Sequence, residues 1–441
     1  MENGSDMFGP PSDSALVRRY YLYRATLSVG FVTPIFTLFL LRSLTFTQVG
    51  ALSALYSVLS VIGEVPTGYV GDRLGRRVSL LLSVLFTVGS LAGFIVTEGF
   101  FWYMFLYALW ALALTFRSGS MDAWLYDTLD ERLDTNQFSH VRGRGDAVQS
   151  WTAAVSMVGG GLLYGIEPTY PFIAAVTFNS LGFVALLSLP KNRQYAAHSN
   201  AEADRLSPLE AISVVRHHLA RPPLRSLVLY LGLFYAVVGI ANTYVQPMAV
   251  ETLTPHAARF GIRIPAGGAT TAARSGEAGA ALALGLGVMY ASLTAVASAG
   301  GYYAGVIEDR IGVRKAMLAV PTVMAVALVV PLWVALFALP AFAAMRTAKP
   351  LVQPIANGYI NDHAEEIGRA TLLSAVSMFY MTLRAPLALG AGMTADATTA
   401  TTAIAVLGGL FLAAGGTVWL LGEVAPEAET TVEERSDSPT S

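Results

Sequence analysis

Apolar residues in this chain run in long blocks rather than in short alternations. A helix needs about 20 mostly apolar residues to cross a hydrocarbon core of roughly 30 Å. Twelve blocks meet that need or come close to it. They are 20–41, 48–70, 78–96, 101–125, 147–166 and 172–189, then 227–250, 281–307, 316–330, 332–360, 370–393 and 400–421. No period-two alternation runs long enough for a barrel strand. Glycine is scattered through the blocks, which suits helices packed closely in lipid, where backbone polar groups must be bonded internally. The pattern predicts an all-α membrane protein with twelve transmembrane helices, the least defined boundary lying at Pro331.

Polar stretches split the blocks into two sets of six. Residues 1–189 make a first half and 224–422 a second. The linker between them, 190–223, carries Lys191, Arg193, Arg205, Arg216 and Arg221, with an amphipathic stretch near 209–219. An insert at 251–279 is rich in Ala, Gly, Thr and Arg, and its length and weak periodicity predict mobility. The tail, 423–441, has six acids against Arg435 and is expected to be disordered. Basic residues orient the chain. With the N-terminus inside, 19 Lys and Arg fall on inner segments and 4 on outer ones. Both termini and the linker are therefore read as cytoplasmic, in a multi-pass protein of the cell membrane, with the insert outside.

Composition agrees with this and excludes other classes. Charged residues make up 13%, against about 25% in soluble domains, so lipid must cover most of the surface. The net charge of −2 gives no basic face for nucleic acid. The chain has no cysteine, which rules out disulfides, thiolate metal sites and thiol nucleophiles. All six histidines fall in loops or at a helix end, so no membrane pair is placed to hold haem or a metal. No phosphate-cradling Gly-rich loop ends in Lys-Ser/Thr, so ATP is not the energy source. No catalytic cluster stands out. The expectation is a protein that is not an enzyme and has no cofactor.

One segment occurs twice. Gly68 to Arg77 reads GYVGDRLGRR, and Gly305 to Arg314 reads GVIEDRIGVR, 237 residues further on. Gly68, Asp72, Arg73, Gly75 and Arg77 match Gly305, Asp309, Arg310, Gly312 and Arg314. Each copy sits between the second and third helix of its half, as in a duplicated transporter. Gly68 is expected to let helices approach closely and Gly75 to permit a tight turn. The pattern resembles the signature loop of the major facilitator superfamily, and the resemblance covers nearly the whole chain apart from the insert, linker and tail. It implies that Asp72 and the loop arginines latch the halves on the inner side. It also implies that Arg73 pairs with an acid at the inner end of helix 4, where Asp127 stands. Asp362, at the inner end of helix 10, repeats the arrangement; Asp72 to Asp127 and Asp309 to Asp362 span 55 and 53 residues.

Charges inside the spans are costly, roughly 2.5–3.5 kcal/mol each on insertion scales, and so require a partner or a purpose. Arg24 and Glu64 lie at similar depth, which suggests an ion pair or a site at the inner mouth. Arg117 and Asp122 lie in the fourth span. A helix-4 arginine followed by small residues resembles a motif of drug/proton antiporters. The match is partial, because Gly119 falls two residues after Arg117 rather than four. The helix-5 motif is also incomplete: Gly159, Gly160, Gly161 and Gly165 are present without a proline, and they read as a close helix crossing. Arg346 and Lys349 share a face of helix 10, and Arg384 lies near the middle of helix 11, with no evident acidic partner for any of the three. Arg24, Glu64, Arg117, Asp122, Arg346, Lys349 and Arg384 are thus candidates for a substrate or proton pathway.

Taken together, these features predict a secondary active transporter working by alternating access, a monomer in the lipid bilayer with a small-molecule substrate. Proton-coupled export of amphipathic or toxic compounds follows from the antiporter resemblance, with H+ as the coupling ion. The unpaired basic residues argue instead for import of a small organic anion. A membrane sensor or lipid-handling protein on the same fold is a third reading.

Overall fold

The computed structural model describes residues 14–191, 222–257, 280–363 and 369–421. The amphipathic stretch near 209–219, residues 258–279 of the insert and the acidic tail lie outside them. The twelve apolar blocks become twelve helical spans, α1 to α12, in two six-helix halves. In the first half these are α1 (Ser14–Thr26 and Phe36–Leu41), α2 (Phe46–Leu74), α3 (Arg76–Val96), α4 (Phe100–Arg117 and Ser120–Arg132), α5 (Phe138–Tyr164) and α6 (Tyr170–Leu187). In the second half they are α7 (Pro222–Ala257), α8 (Ala280–Tyr302 and Ala304–Ile311), α9 (Val313–Val329), α10 (Ala338–His363), α11 (Arg369–Ala397) and α12 (Ala400–Leu410 continuing to Leu421 through a π turn). Nine helical segments among the described residues are long and apolar enough to cross a membrane by themselves. The boundary at Pro331 is a short 3-10 turn, Val330–Leu332.

Three spans expected to be continuous are interrupted. In α1, residues 27–35 leave the helix around Gly30 and Pro34; proline has no N–H to give and clashes with the preceding turn. In α4 the break falls at Ser118 and Gly119, where Gly119 has φ +68°. In α8 it falls at Tyr303, just after the Gly300–Gly301 pair.

The two copies of the repeated loop share one backbone conformation. Gly75 has φ 95° and ψ 148°, and Gly312 has φ 80° and ψ 157°. Each donates its N–H to the carbonyl four residues back, on Gly71 and on Glu308. Only glycine adopts this geometry without strain. The expected close approach at Gly68 is not found: a Cβ there would meet nothing within 4 Å, and the same holds at Gly305. The close contact is made by Gly71, whose Cβ would lie 2.9 Å from the Ser79 hydroxyl.

Across the halves, α2 packs against α11 and α5 against α8. The approach is closest toward the face opposite the repeated loops, called here the far face. A Cβ on Gly50 would lie 2.4 Å from the Ala388 carbonyl oxygen, and one on Gly287 would lie 2.5 Å from that of Met157. Gly50 and Gly287 are separated by the same 237 residues as the repeated loops, so the duplication also sets the seal between the halves. The glycine run of α5 is the close crossing it was read to be: a Cβ on Gly160 would meet the Phe31 carbonyl oxygen at 1.9 Å, and one on Gly161 that of Ala283 at 2.3 Å.

Hydrogen bonds reinforce the far-face seal. Asp396, on the last turn of α11, accepts from the backbone N–H groups of Phe46 (2.8 Å) and Thr47 (2.7 Å), the first residues of α2. A carboxylate at a helix N-terminus fills orphan donors and meets the positive end of the dipole. Burial alone would raise the pKa of Asp396. The hydrogen bonds from Thr47, Phe46 and Thr45 outweigh burial and hold the carboxyl below its ordinary value. A lowered pKa means that the contribution is complete above the ordinary carboxylate value and is lost only as pH falls through the lowered one. Far-face closure should therefore be constant through this group between about pH 5 and pH 8. Asp396→Ala should open the far face across that whole range. With no native cysteine, a Val49→Cys reporter behind the seal can be labelled by an impermeant maleimide. Equal labelling with and without the Asp396 carboxylate would refute this role.

Candidate functional site

The interrupted first span opens the wall of a central chamber between the halves. Residues of the α1 break, with Phe36, Tyr107 and Trp110, line a compartment of about 320 Å³ on the far-face side. A larger compartment of about 700 Å³ lies toward the loop face and is walled by α2, α7, α8, α10 and α11. Tyr56, Asn242 and Arg384 border both, so the two compartments adjoin.

Gln246 on α7 stitches the ceiling. Its side-chain carbonyl accepts from the N–H groups of Thr37 (2.8 Å) and Leu38 (3.2 Å), and its NH2 donates to the Thr33 carbonyl (2.7 Å). A span broken in the membrane leaves backbone groups that must be satisfied by protein. Here a side chain of the opposite half does so. The aromatic wall is held by ring packing, Phe36 meeting Phe94 and Trp110 edge-on with centroids 5.3 and 5.2 Å apart.

Three basic side chains reach the larger compartment. Arg384 on α11 donates to the Ser53 hydroxyl (2.9 Å) and the Ser57 hydroxyl (3.3 Å) on α2, and its guanidinium lies over Tyr56, 5.8 Å from the ring centroid. Arg346 on α10 lies over Tyr290 at 4.8 Å. Lys349, one turn on, is exposed within the chamber. The Arg346 Nε and Nη2, the Arg384 Nε and the Asn242 Oδ1 are buried without a hydrogen-bond partner among the described residues. No carboxylate among the described residues pairs with any of the three cations.

The other sequence candidates are distributed differently. Arg24 forms its ion pair with Asp146 on α5, where depth along the helix had suggested Glu64. Asp146 lies just before the apolar block 147–166; α5 begins nine residues earlier than that block, at Phe138, and carries it. Asp122 is bonded to Arg142 at 2.9 Å rather than to Arg117. The bonded Asp122 helps hold the Arg142 pKa above its ordinary value, against burial acting the other way. Arg117 ends the first piece of α4, close enough to Tyr23 and Tyr56 to act on both electrostatically. Glu64, half-buried on α2, acts in the same way on Tyr380 of the chamber wall.

On the loop face, Arg73 stacks over Tyr69 on its own helix, 4.7 Å from the ring centroid. Arg77 holds the end of α6, donating to the carbonyls of Leu186 (3.0 Å) and Leu187 (2.6 Å). Asp309 and Arg310 are exposed. The side chains of Asp72 and Asp362 lie outside the described residues. Sequence reasoning missed Gln246, Asn242, Tyr56, Tyr290 and Asp396. A lone amide in an apolar block, as at Gln246, was the signal available.

Comparison with known proteins follows the same architecture. The family model described as Major Facilitator Superfamily matches residues 25–273, just over half of the chain. The chain is 24% identical over 159 residues to an uncharacterized MFS-type transporter, YxaM, of Bacillus subtilis (strain 168). The match covers 36% of this chain and 39% of that relative's length. Among solved structures, the nucleoside transporter NupG superimposes with a TM-score of 0.71 at 11% identity, over 93% of this chain and 98% of NupG. A bacterial homolog of the human lysosomal transporter Spinster, in an inward-facing and unoccupied conformation, gives 0.61 at 16% identity, over 92% and 95%. Likeness at these identities is one of fold.

Proposed function

The chain belongs to the major facilitator superfamily, and on that premise we propose that it is a secondary transporter carrying a small organic anion through the central chamber by alternating access. The observation that carries this reading is the grouping of Arg346, Lys349 and Arg384 around one cavity with no paired carboxylate among the described residues. Buried guanidinium groups keep their charge, so a bound anion is the partner that repays their burial. The far face is sealed and the larger compartment lies toward the loops. With the loop face cytoplasmic, as the distribution of basic residues argues, this is the inward-open state.

A second reading, proton-coupled export of amphipathic compounds, is favoured by the aromatic compartment and by Glu64 near Tyr380. In either case the signature-loop residues Asp72, Arg73, Arg77, Asp309, Arg310 and Arg314, with Asp127 and Asp362, are the proposed inner gate, and the transporter acts as a monomer. Proteoliposome uptake of a panel of organic anions and cations, with and without an imposed pH gradient, separates the readings. Anion transport without a pH requirement supports the first; cation or neutral-solute movement driven by the gradient supports the second and defeats the first.

Topology gives an independent check. Residues 190–223 are proposed to link the halves on the cytoplasmic side, and 251–279 to lie outside. Protease added to sealed right-side-out cells should cut within 251–279 and spare 190–223. Cutting in the linker would invert the orientation.

A further inference from the structure

The chamber is divided by chemistry as well as by shape. Its loop-side compartment carries the three cations, and its far-side compartment is walled by Phe36, Tyr107 and Trp110 with Val29, Val32 and Val49. Arg384 and Asn242 stand at the junction, and Tyr290 borders the aromatic side while supporting Arg346 on the other. We propose that the chamber is a bipartite site for an amphipathic aromatic anion, whose acidic head meets Arg346, Lys349 and Arg384 while its planar ring enters the aromatic compartment. This rests on the reading of the chamber as an anion carrier and adds the tail.

Three physical points favour it. A fork of N–H donors suits a carboxylate, which accepts two parallel hydrogen bonds. The aromatic compartment is ringed by side chains whose faces and edges pack against a flat ring. The Asn242 Oδ1 at the junction, unpartnered among the described residues, can accept a hydrogen bond from a donor group between head and tail. A small inorganic anion would use only the head subsite. A neutral aromatic would leave the cations uncompensated.

The test is equilibrium binding to the full chain in nanodiscs, using 2-naphthoate, acetate, 2-naphthylmethanol and 2-naphthylmethylammonium. Naphthoate should bind at least about tenfold more tightly than each of the others. Arg346→Gln should remove the preference for naphthoate over naphthylmethanol. Trp110→Ala should remove its preference over acetate. Acetate binding as tightly as naphthoate would overturn the bipartite site and leave the anion carrier standing. Naphthylmethanol or the ammonium binding as tightly as naphthoate would overturn both, as would failure of all four probes to bind.

Discussion

Transport by Arg384→Gln should fall by roughly two orders of magnitude while the protein inserts normally, because a lost charge-assisted interaction costs about 3 kcal/mol. Arg384 is bonded through Nη1 and Nη2 to two serines of α2 and leaves its Nε without a partner among the described residues. It therefore ties the state of the cross-half contact to whatever occupies the junction. Glutamine keeps a polar end for Ser53 or Ser57 but removes the charge. Arg384→Lys keeps the charge and loses the planar fork, so it should recover only part of the rate. Arg346→Gln should fail in the same way, since the Arg346 guanidinium rests on Tyr290 with its Nε and Nη2 unpartnered among the described residues. Initial rates in proteoliposomes, normalised to monodisperse protein, measure all three. If both glutamine variants run at the wild-type rate, the cation cluster is structural.

Valine at Gly161 should stop the cycle by a different route. Its Cβ would fall 2.3 Å from the backbone oxygen of Ala283, which lies on α8 of the other half. Backbone cannot rotate aside as a side chain can, so the far-face seal would have to part. Overpacking of this kind costs about 3 kcal/mol or more, enough to shift a two-state equilibrium by a factor of about 100 or more. Gly161→Val should thus fold, expose the Val49→Cys reporter to far-side label and transport poorly. Gly160→Val supplies the contrast. Its clash, 1.9 Å from the Phe31 oxygen, is within one half, so the expected loss is of folded protein rather than of closure. Wild-type transport and unchanged labelling in Gly161→Val would show that the seal yields at this crossing.

Much of the candidate site was legible residue by residue and not as an arrangement. Arg346, Lys349 and Arg384 were singled out because charge in an apolar block is costly wherever it lies. Their common cavity was not readable, since it depends on α10 and α11 meeting α2 and α8 across the molecule. Arg24 shows the same limit from the other side. Depth along a helix matched it to Glu64, but azimuth and neighbouring helix decide contact, and α5 brings Asp146 instead. The breaks in α1, α4 and α8 were hidden because Gly, Pro and Ser are tolerated in membrane helices when neighbours re-satisfy the backbone. Gln246, which does this for α1, comes from more than 200 residues away.

The sequence by itself determined that the chain is helical and lipid-embedded, that it is two six-helix halves, and that one loop is repeated. Those properties follow from local rules: a bilayer demands some 20 apolar residues per span, and a positive φ demands glycine at Gly75 and Gly312. Only the tertiary structure decided which face is sealed, which acid meets which base, and that aromatic and cationic walls share one chamber. Those depend on side-chain azimuth and on helix pairs far apart in the chain, such as Asp396 against the first turn of α2. Hydropathy is nearly uniform around a buried membrane helix, so it carries no record of which side faces which neighbour.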